Sequence, residues 1–162
     1  MARTFIDKHD NHKHPVQVEK LDKPFAGLER GQTIVIATPK DFTAAFKRVP
    51  AGKTRPMEAL RAALAKKYKA DAACPLTSGI FARIAAEAAL ERMTAGASTS
   101  EVAPFWRVID PDSALAKRLS CGPDFIRQMR ALEGAGTPKR GKAKKVARSK
   151  AKSRVKRSGA KR

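Results

Sequence analysis

The 162-residue chain carries 35 Lys/Arg against 15 Asp/Glu, a formal charge of +20, and its pI lies near 10.7. That imbalance points to a polyanionic partner, nucleic acid before all others, and the chain lacks the apolar run of about 18 residues that a membrane span requires. The opening Met-Ala-Arg-Thr-Phe-Ile has no signal-peptide core, and Cys74 and Cys121 are too few for a disulfide scaffold and lack zinc spacing. A reducing, cytoplasmic location is therefore expected.

Residues 1–30 are polar and mixed in charge with no sustained period, which predicts an extended or disordered lead. Within it His9, His12 and His14 stand near Asp7 and Asp10. Solvated side chains are the expected reading of this patch, a surface metal site the competing one, and no metal or cofactor is assigned. The folded unit is expected over residues 31–134. It opens on Gln32-Thr33-Ile34-Val35-Ile36-Ala37, a short β-branched run that reads as a strand.

Thr38-Pro39-Lys40-Asp41 is a helix start: a Thr cap, Pro at the first helical position, and an acid three residues after the cap. The helix that follows places Phe42 and Phe46 on one face and stops near Val49-Pro50-Ala51-Gly52. A second helix is predicted from about Pro56 to Tyr68, with Leu60, Ala63 and Leu64 inward and Arg61, Lys66 and Lys67 outward. After a connector from Lys69 to Pro75, Thr77 and Ser78 are the expected caps of an Ala-rich third helix from Gly79 to about Met93. Thr94 to Ser100 reads as a loop and Phe105–Ile109 as a strand. Gly122-Pro123-Asp124 opens a last helix that Gly134 closes. Two helices followed by a strand and loop predict a mainly α, winged helix-turn-helix-like domain, against an unrelated small helical domain.

Several blocks between Pro39 and Gly134 carry a family resemblance. Val49-Pro50-Ala51-Gly52-Lys53-Thr54 is similar to a "VPxGKVT" turn, and Cys74-Pro75-Leu76-Thr77-Ser78-Gly79-Ile80-Phe81-Ala82 to "CPITTGIFA". Pro104-Phe105-Trp106-Arg107-Val108 stands where Pro-Cys-His-Arg-Val is found, and Arg130-Ala131-Leu132-Glu133-Gly134 is similar to an "LLEAEG" ending. Together they resemble the DNA-binding domain of the O6-alkylguanine-DNA alkyltransferases, and more closely their non-catalytic alkyltransferase-like relatives.

The departures shape what the resemblance implies. The alkyl acceptor of those enzymes is a cysteine activated by an adjacent histidine, since the thiolate is the nucleophile. Phe105 and Trp106 fill these two positions, and Arg55-Pro56-Met57 stands where the enzymes carry a tyrosine. The resemblance thus implies a DNA-binding protein without transferase activity that recognises alkylated or distorted DNA in DNA repair. It implies a base pocket at Pro104, Phe105, Trp106 and Arg107, with Arg107 orienting the site from behind and the aromatic pair offering a stacking surface. Read from the residues alone, Phe105 and Trp106 are equally alternating core residues. Thr77, Ser78 and Arg83 of the third helix are the expected DNA contacts, with Arg83 matched to the arginine that the enzymes insert into the base stack. Cys121, before Gly122-Pro123, is the better candidate nucleophile of the two thiols, and packing is the expected role of Cys74.

From Gly134 to Arg162 there are 13 Lys/Arg and no acid, which leaves 22 basic and 15 acidic residues in the rest of the chain. This run, with Lys139, Arg140, Lys142, Lys144 and Lys145 at its start, is similar in composition to linker-histone and bacterial histone-like tails. It has too little apolar surface to offset chain entropy and is expected to be disordered when free, lying on phosphate backbones. DNA is the expected partner and RNA the less favoured one. A nucleoid-associated structural protein is the competing function.

Overall fold

The computed structural model describes residues 1–135, so the basic run with Lys139, Arg140, Lys142, Lys144 and Lys145 lies outside the described residues. The described part is helix-rich, with a small three-stranded sheet. In chain order it runs α1 (Phe5–Asp10), β1 (Gln17–Lys20), β2 (Thr33–Ile36), α2 (Pro39–Lys47), α3 (Met57–Lys67), β3 (Ala72–Ala73) and α4 (Pro75–Thr94). A 3-10 turn (Phe105–Arg107), α5 (Ala114–Arg118) and α6 (Gly122–Leu132) complete it.

The cap expected at Thr38 is present in full: its hydroxyl accepts from the Asp41 amide while the Asp41 carboxylate accepts from the Thr38 amide. The register this sets turns Phe42 and Phe46 into the core, both fully buried, with ring centroids 6.3 Å apart. Burying two such rings contributes roughly 2–3 kcal/mol each. β2 is the middle strand, antiparallel to β1 and parallel to β3, and buries Ile34 and Val35. α4 runs through the centre. Ala82, Ala85, Ala86, Ala88 and Ala89 are all buried, and their small side chains let neighbouring elements approach its backbone closely.

Four expectations are corrected. Residues 1–30 are not an unstructured lead. α1 packs on α4, its Phe5 and Ile6 amides donate to the Glu91 carboxylate at 3.0 and 2.9 Å, and Arg92 pairs with Asp10. The apolar surface that holds it, Phe5 and Ile6, is too short to show a period in sequence. The histidine patch is correspondingly not simply solvated: His9 is buried against Thr43 Oγ1 at 2.8 Å, and His12 meets the Phe81 ring edge-on. The third helix begins at Pro75 instead of Gly79, so Thr77 and Ser78 lie inside its first turns and do not cap it. The segment expected as a strand from Phe105 is a 3-10 turn, because Phe105, Trp106, Val108 and Ile109 all enter one core instead of alternating between two faces. α5 was not expected at all. Ser113 caps it through the Ala116 amide.

Asp41 has a second task. Lys67 Nζ reaches its carboxylate at 2.8 Å, and the Tyr68 hydroxyl also donates to it, which ties α2 to the end of α3. Burial alone would raise this carboxyl, but the hydrogen bonds from Lys67, Tyr68 and Thr38 outweigh it and hold the group below its ordinary value. A carboxyl depressed on folding stabilises the fold above its unfolded pKa, and that contribution disappears as pH falls through the folded one. Urea unfolding at pH 7 and pH 3 is expected to show Asp41→Asn about 2 kcal/mol less stable than the parent at pH 7, with the gap closing at pH 3. An equal gap at both values would contradict the assignment.

Candidate functional site

The first turns of α4 stand between two depressions. One, of about 530 Å³, lies between the start of α3, the start of α4 and residues 108–115. Arg55, Arg61 and Arg130 contribute the basic groups of its lining and Glu58 and Asp110 the acidic ones, with Met57, Ile109 and Leu115 among the apolar walls. The other, of about 400 Å³, lies between α1, α4 and the end of α5, and is lined by Lys8, Arg83 and Arg118 with Phe5, Leu76 and Ile80. Gly79 and Leu115 line both. Leu76 and Ile80, one turn apart on α4, are exposed at 65% and 49%. The result is a helix start with uncovered apolar side chains and arginines on either flank.

The residues expected at the interface divide sharply. Arg83 sits on this face with its side chain 43% exposed, its guanidinium 5.8 Å from the centre of the Phe5 ring and 3.9 Å from Glu87. Thr77 is half-buried and its hydroxyl donates to the Cys74 carbonyl at 3.5 Å, while Ser78 is buried and lines the larger depression. Ser78 is thus not a surface contact.

The expected base pocket at Pro104, Phe105, Trp106 and Arg107 is also corrected. Phe105 and Trp106 are fully buried, packed edge-on against each other at 5.3 Å, with Phe105 stacked on Phe125 at 6.1 Å. Pro104 is buried beside them, so no face is left for a base. The physical cause is a set of anchors from α6. Arg130 donates from Nε to the Trp106 carbonyl at 2.6 Å and from Nη2 to the Ile109 carbonyl at 3.0 Å. Arg107 grips Glu133 through Nε and Nη2, at 2.9 and 2.6 Å in the closest contacts, and donates from Nη1 to the Val49 carbonyl at 2.7 Å. The paired Arg107 guanidinium holds the Glu133 carboxyl below its ordinary value, against a smaller opposing effect of burial. Arg107 is therefore a clasp between the 49–52 turn, the 3-10 turn and the end of α6. In that turn Gly52 has φ +77°, and a Cβ there would stand 3.1 Å from the Glu133 carbonyl.

Neither thiol is placed for nucleophilic work. Cys74 is buried. Cys121 is pushed up to about 11, first by burial and then by the Glu87 carboxylate, which disfavours a second negative charge. Glu87, itself buried, accepts from the Ser120 amide and hydroxyl at 2.9 and 2.6 Å. Among the described residues no group of three His, Cys, Asp or Glu is placed to hold a metal ion, and no helix is long and apolar enough to cross a membrane. No protein-family model, curated protein or solved structure matches the chain.

Leu76, Ile80, Lys8, Arg118, Arg55 and Arg130, which line the two depressions, were not singled out from the sequence. A signal was present for the first two. With alanines occupying the buried side of α4, the larger residues at 76 and 80 had no core left to fill.

Two outcomes are expected from these positions. Alkylation of Cys121 by iodoacetamide at pH 8 should run about a hundredfold slower than that of an ordinary cysteine, and should accelerate as pH rises toward 11. Trp106, the only tryptophan, should emit at short wavelength and resist acrylamide quenching, and Trp106→Ala should cost about 3–5 kcal/mol in urea unfolding.

Proposed function

We propose that this chain is a non-catalytic DNA-binding protein whose contact surface is the start of α4 with its flanking arginines. The observation that carries the reading is the pair of exposed apolar residues, Leu76 and Ile80, set among Lys8, Arg83 and Arg118. Cationic side chains meet phosphates, and uncovered apolar side chains on a helix meet base edges or wedge between base steps. In this reading α3 and α4 are the two helices of a winged helix-turn-helix type of domain, with the 3-10 turn where a wing strand would stand. The resemblance to alkyltransferase-like proteins supports the same partner class and a role with alkylated or distorted DNA in repair. The high Cys121 pKa and buried Cys74 support the absence of transfer chemistry.

The basic run beyond Gly134 supplies affinity without sequence preference. The competing function, a structural nucleoid protein, rests on that run, whose 13 basic residues have no acid among them. The two differ in where selectivity lies.

Full-length protein and a chain ending at Gly134 should be titrated with duplexes carrying or lacking one O6-methylguanine, at two salt concentrations. The full chain is expected to show a log Kobs against log salt slope of about −0.9 per phosphate contacted, and the shortened one a shallower slope. Ile80→Glu should weaken binding by about tenfold in both, since it places an acid among the phosphate-facing arginines. A lesion preference in the shortened chain supports the repair reading, and equal affinity supports the nucleoid one. No binding by either chain, or a methylated cysteine in the mass spectrum, would overturn the proposal.

A further inference from the structure

α1 is six residues long, and helices shorter than about 12–15 residues are marginal in water by themselves. Its shape and place depend on two adjacent residues of α4. At its start the Glu91 carboxylate accepts from the Phe5 amide through Oε1 at 3.0 Å and from the Ile6 amide through Oε2 at 2.9 Å. At its end Arg92 pairs with Asp10 at 2.7 Å. A carboxylate with one amide on each oxygen fixes the direction of the helix as well as its position. Lys8 lies between the two holds.

That hold decides how the smaller depression is charged. The Phe5 ring carries two cations, with Lys8 Nζ 4.5 Å and the Arg83 guanidinium 5.8 Å from its centre. An aromatic face attracts each of them, yet the two repel one another, and an anion between them relieves that repulsion. Arg118 lines the same depression from the end of α5, and no acid is among the residues lining it. Glu87, 3.9 Å from Arg83, already accepts from the Ser120 amide and hydroxyl. Arg118 is exposed and Lys8 and Arg83 are partly so, within reach of a partner. Glu91 does not line the depression and acts on it only through α1.

We propose that Glu91 is a positioning residue for the DNA surface: it holds α1 so that the Phe5 ring sets Lys8 and Arg83 beside Arg118 as one phosphate clamp. The inference rests on the DNA-binding reading above and names the residue that assembles its cationic side. It reverses the sign that charge alone would give. Removing an acid from a protein that binds a polyanion ordinarily strengthens binding, whereas removing Glu91 weakens it here because α1 loses its place.

The test uses the full chain and an undamaged short duplex, titrated by fluorescence anisotropy over a range of salt. Glu91→Ala and Phe5→Leu are each expected to weaken binding by about threefold and to flatten the log Kobs against log salt slope by about 0.9 for each phosphate lost. Phe5→Leu keeps an apolar side chain against α4, so it decides the matter should Glu91→Ala fail to fold, as red-shifted Trp106 emission would reveal. In a Lys8→Ala/Arg83→Ala background, Glu91→Ala should change neither affinity nor slope further, because its effect passes through those two cations. By NMR, the upfield ring-current shift of the Lys8 ε-methylene protons should disappear in both single variants. A native chain that does not bind the duplex would overturn this proposal together with the DNA-binding reading. Normal binding by the native chain, with Glu91→Ala and Phe5→Leu keeping its slope, would overturn this proposal alone. So would a Glu91→Ala effect of equal size in the Lys8→Ala/Arg83→Ala background, which would mark Glu91 as merely structural.

Discussion

Everything around the α4 surface depends on how α6 holds the Phe105–Arg107 turn. Arg130 reaches inward to two consecutive-turn carbonyls, of Trp106 and Ile109, and Glu133 receives Arg107 from the opposite direction. The two clamps lie three residues apart, about one helical turn, so one rigid element fixes both ends of a segment whose own backbone bonds span only a single tight turn. That hold forces Phe105 and Trp106 into the core and carries Val108 and Ile109 to the wall of the larger depression. A buried ion pair contributes little net stability by itself, but losing one partner strands a charge, which makes such a clasp a strong determinant of one arrangement.

The same clamps link the core to the surface. Arg130 belongs to both: its Nε and Nη2 are structural, while Nη1 is not engaged. α4 is likewise divided. Its alanines serve the packing of the whole unit, and its first turns, with Leu76, Gly79 and Ile80, serve nothing inside the molecule. The backbone under these exposed side chains is already ordered by the helix, so a contact made there would cost little conformational entropy.

Much of the element order was legible from residues with a local physical signature. Thr38-Pro39-Lys40-Asp41 announced a helix start because capping depends on a few adjacent groups, and Ile34-Val35-Ile36 announced a strand because β-branched runs suit a pleated surface. The residues that misled are those whose state depends on distant partners. Phe105 and Trp106 offered an aromatic pair that could face a cleft or a core, and only Arg130, 24 positions beyond Trp106, and Glu133, 26 beyond Arg107, decide between them. Phe5 and Ile6 looked like scattered apolar residues in a polar lead, since the carboxylate that receives their amides is Glu91. Arg107 was singled out as a motif residue, and its geometry makes it a fastening between segments. The site fared worse than the fold for a related reason: a depression between three elements has no contiguous sequence.

The attachment of α1 has a kinetic meaning. The bonds from Phe5 and Ile6 to Glu91 span 86 and 85 positions, among the longest separations in the molecule, whereas the α2 cap closes over three. Contacts of such range form only after the chain between them has lost much of its freedom, so the first helix of this protein is among the last parts to settle. During synthesis α1 leaves the ribosome well before its receptor on α4 exists, and its two apolar side chains wait uncovered until residue 91 has emerged. Strengthening or loosening this latch would therefore act mainly on how long the native state survives, with little effect on how quickly it is reached.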